Sequence, residues 1–66
     1  MLSFMAYLGS WKDGEFTPVG AEAVEAPTYE EAKPLAMRAL KGKGAELGAT
    51  AVRLESDDGH YAWEYK

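Results

Sequence analysis

The chain has no cysteine, no asparagine and no glutamine, and His60 is its one histidine among 66 residues. Without cysteine no disulfide bond can form, and a structural zinc site would have at most one imidazole ligand. Depletion of the heat-labile amides is typical of thermophile proteins. A chain of this length also has a thin hydrophobic core. Oligomerisation or very consistent local structure is therefore the expected source of stability.

Long apolar runs are missing as well. No stretch approaches the roughly 20 apolar residues that span a bilayer. No Lys or Arg precedes Lys12, so the N-terminus lacks the charged region of a secretory signal. We therefore expect a cytoplasmic protein that does not enter a membrane, folded as a single domain over residues 1–66.

Basic residues are scarce in the first half of the chain. Residues 1–33 contain two basic and six acidic residues, a net charge of −4, whereas residues 34–66 contain five of each. Proteins that bind phosphate backbones usually present a basic face. The one basic cluster is Arg38, Lys41 and Lys43, near the end of a predicted helix, where cations favour the helix dipole. Nucleic acid is thus not the expected partner.

What the chain does contain is a first stretch, residues 2–11, that is apolar on both sides of an extended strand. Asp13-Gly14 predicts a two-residue hairpin turn after it, which pairs Trp11 with Phe16. The pairs on the core side of this hairpin are then Leu8 with Val19, Ala6 with Ala21, and Phe4 with Ala23. Because Pro18 cannot donate to a ladder, the second strand, residues 16–25, is expected at an edge of the sheet.

A helix is predicted after Pro27. Thr28 and Glu31 have the spacing of a capping box, and an apolar stripe runs from Ala32 to Leu40. The stripe breaks at Lys43, so the helix is expected to fray or change direction at Gly42 and Gly44. Gly48 suits a left-handed helix stop.

A second hairpin is predicted around Asp58-Gly59. Its strands alternate cleanly between apolar and polar positions. The expected pairs are Val52 with Tyr65, Leu54 with Trp63, and Ser56 with Tyr61 on one side, and Arg53 with Glu64 and Glu55 with Ala62 on the other. The fold class is therefore α+β, with element order ββαββ. One four-stranded antiparallel sheet in the order 2-1-3-4, with one helix packed on one face, is the simplest arrangement.

The second side of the first hairpin has no predicted cover. It carries four large apolar side chains, and Val24 could extend the group: Met5, Tyr7, Trp11 and Phe16. A large apolar patch on an uncovered sheet face normally marks an interface. Alternatively, a register shift or bulge moves some of these residues into the core.

Residues that could carry chemistry have simpler structural explanations. His60 and the pair Asp57-Asp58 adjoin a turn, where carboxylates commonly serve the turn itself. The pair Glu30-Glu31 suits a helix N-terminus. We therefore predict no enzyme, no cofactor and no metal ion, with a small-molecule or metal site near His60 as a weaker alternative.

The run Asp13-Gly14-Glu15-Phe16, followed by Thr28-Tyr29-Glu30-Glu31-Ala32, resembles the HicB-like antitoxin domains. The whole chain, including Gly44-Ala45-Glu46-Leu47 and the closing hairpin at Asp58-Gly59, is similar also to other stand-alone bacterial ββαββ domains of unknown function. The HicB-like resemblance covers about the first forty residues, and the Pro-Gly-Cys loop common in that family is absent. It implies a toxin partner, dimerisation, and regulation related to RNA or DNA.

Taken together, the sequence favours a non-enzymatic domain that self-associates as a homodimer. The predicted contact is the open face of the first hairpin or a sheet edge, with symmetric dimers the commonest oligomers. The alternative is an antitoxin-type module whose aromatic face binds a partner protein.

Overall fold

The computed structural model describes all residues, 1–66, as a four-stranded sheet with one helical segment. The strands are β1 (Leu2–Lys12), β2 (Glu15–Ala26), β3 (Ala51–Ser56) and β4 (Ala62–Tyr65). The helix α1 (Tyr29–Ala39) continues into a π-helical turn, Leu40–Gly44. Neighbouring strands are antiparallel in the order β2-β1-β3-β4. The predicted fold class and strand order are confirmed.

The core lies between the sheet and the helical segment. Phe4 and Leu8 of β1 and Leu54 of β3 are almost wholly buried there. The helical segment contributes mainly small side chains, namely Ala32, Ala36, Ala39 and Leu40. Alanine at these positions lets the helix approach the sheet closely, so a few large sheet residues fill the interior.

The pairing of β1 with β2 changes register between Leu8 and Gly9. Trp11 faces Phe16 as predicted, and Gly9 faces Pro18, but Leu8 faces Gly20. One extra residue, Val19, therefore forms a β-bulge. Pro18 has no N–H for the ladder, which explains why pairing is interrupted at this point.

The bulge makes the predicted core pairs wrong. Val19 is half-exposed and lies outside the core, and the next residues of β2 shift by one position. The observed pairs are Ala6 with Glu22, Phe4 with Val24, and Leu2 with Ala26. Val24 and Ala26 are consequently buried beneath the helix. Ala21 and Ala23 move to the opposite face, and Val24 does not extend the open patch.

The helical segment begins at the predicted residue, and helical backbone continues after Gly44 to Glu46, two residues before the predicted stop. The Glu31 N–H donates to the Thr28 hydroxyl oxygen at 3.2 Å, which caps the N-terminus. The predicted change at Gly42 and Gly44 is the π-helical turn, which keeps Gly44 buried and Lys43 exposed. Gly48 has φ of +78°, the left-handed stop expected there.

The two hairpins differ in their turns. Asp13 and Gly14 both have positive φ, as the predicted two-residue turn requires. In the second hairpin four of the five predicted pairs form, and Ser56 and Tyr61 lie beyond the ladder, where the Ser56 N–H donates to the Tyr61 carbonyl oxygen. Gly59 alone has positive φ there, the Gly59 N–H donates to the Ser56 carbonyl oxygen, and the loop between Ser56 and Ala62 is longer than two residues.

Candidate functional site

The sheet face opposite the helix has no second layer over it. We call it the open face, and it comprises Met5, Tyr7, Trp11, Phe16, Pro18, Ala21, Ala23, Arg53, Glu55 and Glu64. The four residues predicted for the interface all lie on it and are each partly exposed. Trp11 and Phe16 are cross-strand neighbours, with ring centroids 5.6 Å apart and an angle of 52° between the ring planes. The structure thus brings the predicted site residues together on one surface.

A shallow, open depression of about 310 Å³, which we call the cleft, lies on this face. Its walls are apolar on one side and charged on the other: Tyr7, Phe16, Pro18, Arg53 and Glu55. A volume of about 300 Å³ is at the lower end of the range for small-molecule sites. The sequence pattern did not predict the cleft, because its walls come from three different strands.

Arg53 is held by two carboxylates beside the cleft. Its Nε lies 2.8 Å from Glu55 Oε2 and 3.9 Å from Glu64 Oε2. The predicted cross-strand pair with Glu64 is present, but the contact with Glu55 of the same strand is shorter. All three side chains are partly exposed, so each pair contributes about 0–1 kcal/mol. The group has one negative charge in excess.

Trp11 presents the face of its indole ring and not its N–H. The Nε1 atom is buried and has no hydrogen-bond partner. Lys66, which follows β4, places its Nζ 4.3 Å from the centroid of the Trp11 ring. That distance is well within the range of a cation–π interaction.

The residues around His60 are organised by the turn. Asp58 accepts hydrogen bonds from the Ser56 hydroxyl at 2.6 Å and from the His60 N–H at 2.9 Å. The first of these bonds, with help from the second, lowers the pKa of the Asp58 carboxyl. His60 itself is exposed. No group of three or more His, Cys, Asp or Glu side chains is placed to hold a metal ion.

The sequence pattern did not predict an aromatic cluster that lies on the helix side of the sheet. Tyr29 and Tyr61 stack with centroids 4.8 Å apart, and Phe4 packs edge-on against both rings. The predicted position of Tyr61 opposite Ser56, on the core side of the second hairpin, was the one feature of the sequence that pointed to this cluster. Nearby, Glu30 accepts a bond from Lys33 at 3.0 Å, and this contact raises the pKa of the Lys33 ammonium. The cluster joins the loop to the start of α1.

The predicted basic cluster is divided in the structure. Arg38 and Lys41 flank a shallow depression beside Pro34 and Met37 on the outer side of the helix. Lys43 instead donates to the Ala21 carbonyl oxygen at 2.9 Å, across the edge of β2. Its charge therefore serves the packing of the helical segment on β2.

Comparison with known proteins adds no assignment. The chain matches no protein-family model, no curated protein and no solved structure. The relation to HicB-like domains stays a prediction. Neither α1 nor the π-helical turn is long and apolar enough to cross a lipid bilayer.

Proposed function

We propose that this chain is a non-enzymatic domain that self-associates as a homodimer through the open face. The observation that carries the proposal is the position of the four large apolar side chains. They lie together on the one sheet face that the helix leaves uncovered, and each keeps part of its surface in water. Burying such a patch against a second copy removes apolar area from water, which favours association.

The charges on the open face suit a symmetric contact. A two-fold interface brings the same patch of both copies together, so the patch must complement itself. Arg53 and Glu55 lie side by side at the margin of the apolar residues. Rotation about a two-fold axis can therefore place Arg53 of one copy near Glu55 of the other.

The sheet edges are less suited to pairing than the open face. The edge strand β2 contains Pro18 and the bulge at Val19, and Lys43 already binds the Ala21 carbonyl. Each of these features hinders the addition of another strand. The opposite edge, β4, has only four residues. We therefore assign the contact to the face.

The substitution Trp11→Glu tests this proposal. It places a carboxylate within the proposed interface, and we expect a protein that is dimeric by sedimentation to become monomeric. Tyr65→Glu is the matched control, because Tyr65 is an aromatic residue that is 46% exposed and lies on the helix side of β4. It should leave the dimer intact. A folded Trp11→Glu variant, checked by circular dichroism, that remains a dimer would contradict the proposal.

A further inference from the structure

The ring face of Trp11 already holds a cation in the free protein. Lys66 Nζ lies 4.3 Å from the ring centroid, whereas Lys33 lies 5.8 Å from the ring of Trp63, the other tryptophan. Lys33 is also paired with Glu30. Lys66 forms no ion pair, so the Trp11 ring is its main partner. The ring of Trp11 is therefore a surface that contacts a cation, and no salt bridge holds this cation in place.

The surroundings of Trp11 favour one class of cation. Phe16 adds a second aromatic ring at 5.6 Å, and the cleft of about 310 Å³ begins at this ring. The two aromatic rings themselves offer no hydrogen-bond acceptor to a primary ammonium, which needs hydrogen bonds to replace its water. A quaternary ammonium needs no hydrogen bond and is bound by aromatic faces. The excess negative charge beside the cleft attracts it without direct contact.

We propose that the corner formed by Trp11 and Phe16, with the adjoining cleft, binds a ligand that carries a quaternary ammonium group. The ligand displaces Lys66 from the Trp11 ring and places its methyl groups against the two aromatic faces. This inference goes beyond the proposed self-association and does not require it, although both use Trp11 and Phe16. In a dimer that buries the open face, the ligand competes with the second copy.

Choline is the probe, and 3,3-dimethylbutan-1-ol is its uncharged counterpart of the same shape. Trp11 becomes the sole tryptophan in a Trp63→Phe background, and its fluorescence is followed at constant ionic strength. The protein concentration is kept where sedimentation shows a monomer. We expect a saturable change with choline and none with the alcohol. An equal response to both compounds, or no saturable response to choline, would overturn the site.

Two lysine variants separate displacement of Lys66 from a general charge effect. Lys66→Ala removes the internal competitor, and the affinity for choline should rise about two- to fivefold, the range that corresponds to an exposed cation–π contact. Lys12→Ala also removes one positive charge close to Trp11 in sequence, but it is Lys66 that lies over the Trp11 ring. This variant should therefore change the affinity for choline less than Lys66→Ala does. Equal affinities for Lys66→Ala and the parent protein would contradict the inference.

Choline binding at Trp11 can be tested independently of self-association. Trp11→Leu should abolish the choline-induced changes in the NMR shifts of Phe16 while the fold persists. Retained changes in that variant would exclude the Trp11 ring as the binding surface. Because these measurements use monomeric protein, they can fail while the protein still dimerises, and they can succeed if it does not.

Discussion

Gly9 of β1 lies directly opposite Pro18 of β2, at the position where the register of the two strands changes. A Cβ built on Gly9 would collide with the Thr17 carbonyl oxygen and lie 2.8 Å from Pro18 Cα. Only glycine fits against the bulged backbone here. This contact sets which residues of β2 face the helix, and it turns Ala21 and Ala23 towards the open face.

Gly9→Ala should therefore destabilise the protein. The new methyl group meets backbone atoms that cannot rotate away, and we expect a loss of about 1–3 kcal/mol in the free energy of unfolding. Gly42→Ala is the matched control, since nothing lies within 4 Å of a Cβ at Gly42 and its φ is not positive. It should stabilise the protein by roughly 0.4–1 kcal/mol. Urea denaturation measures both, and a neutral Gly9→Ala would refute the close contact.

The bulge makes a second prediction, about two valines of the same strand. Val24 is 6% exposed and Val19 is 50% exposed. Val24→Ala removes two buried methyl groups and should cost about 2 kcal/mol, whereas Val19→Ala should change the stability by less than about 0.5 kcal/mol. Thermal unfolding of the two variants gives the comparison. If Val19→Ala destabilises the protein more than Val24→Ala does, the register without a bulge is the correct one.

The Asp58 turn predicts a dependence of stability on pH. The folded protein lowers the pKa of Asp58 through the Ser56 and His60 hydrogen bonds. A carboxyl with a lowered pKa stabilises the fold above its unfolded value, near pH 4, and this contribution is lost as the pH falls through the folded pKa. Asp58→Asn should thus be less stable than the parent protein at pH 7, and the difference should shrink towards pH 3.

Asp57→Asn serves as the control for this titration, because the Asp57 side chain takes no part in the turn's hydrogen bonds. Unfolding by urea at several pH values compares the two variants. If the difference between Asp58→Asn and the parent protein is the same at pH 7 and pH 3, the carboxylate does not supply the stability.

Much of the fold is predictable from local signals in the sequence. The Asp13-Gly14 turn, the Thr28 cap and the Gly48 stop each follow from conformational preferences of single residues, and all three are found in the structure. Strand order followed from chain handedness together with Pro18 at an edge. These features need no knowledge of distant contacts.

The bulge could not be predicted in the same way. Alternation of apolar residues in β2 was compatible with Val19, Ala21 and Ala23 as the core set. The choice of Val24 and Ala26 depends on the contact between Gly9 and the bulged strand, which is a property of two backbones. The position of Gly9 opposite Pro18 was the one feature of the sequence that pointed to a bulge. Trp11 and Phe16 could be predicted on the open face because they lie between the turn and the bulge, where the pairing without a bulge holds.

Self-association of the wild-type protein is measured by its molar mass over a wide concentration range. The chain has a mass of 7.2 kDa. Sedimentation velocity or light scattering should show twice this mass at high concentration and dissociation upon dilution, because burial of the open face holds the two copies together. A mass of 7.2 kDa at every concentration would contradict self-association. The open face would then be left available for a different partner.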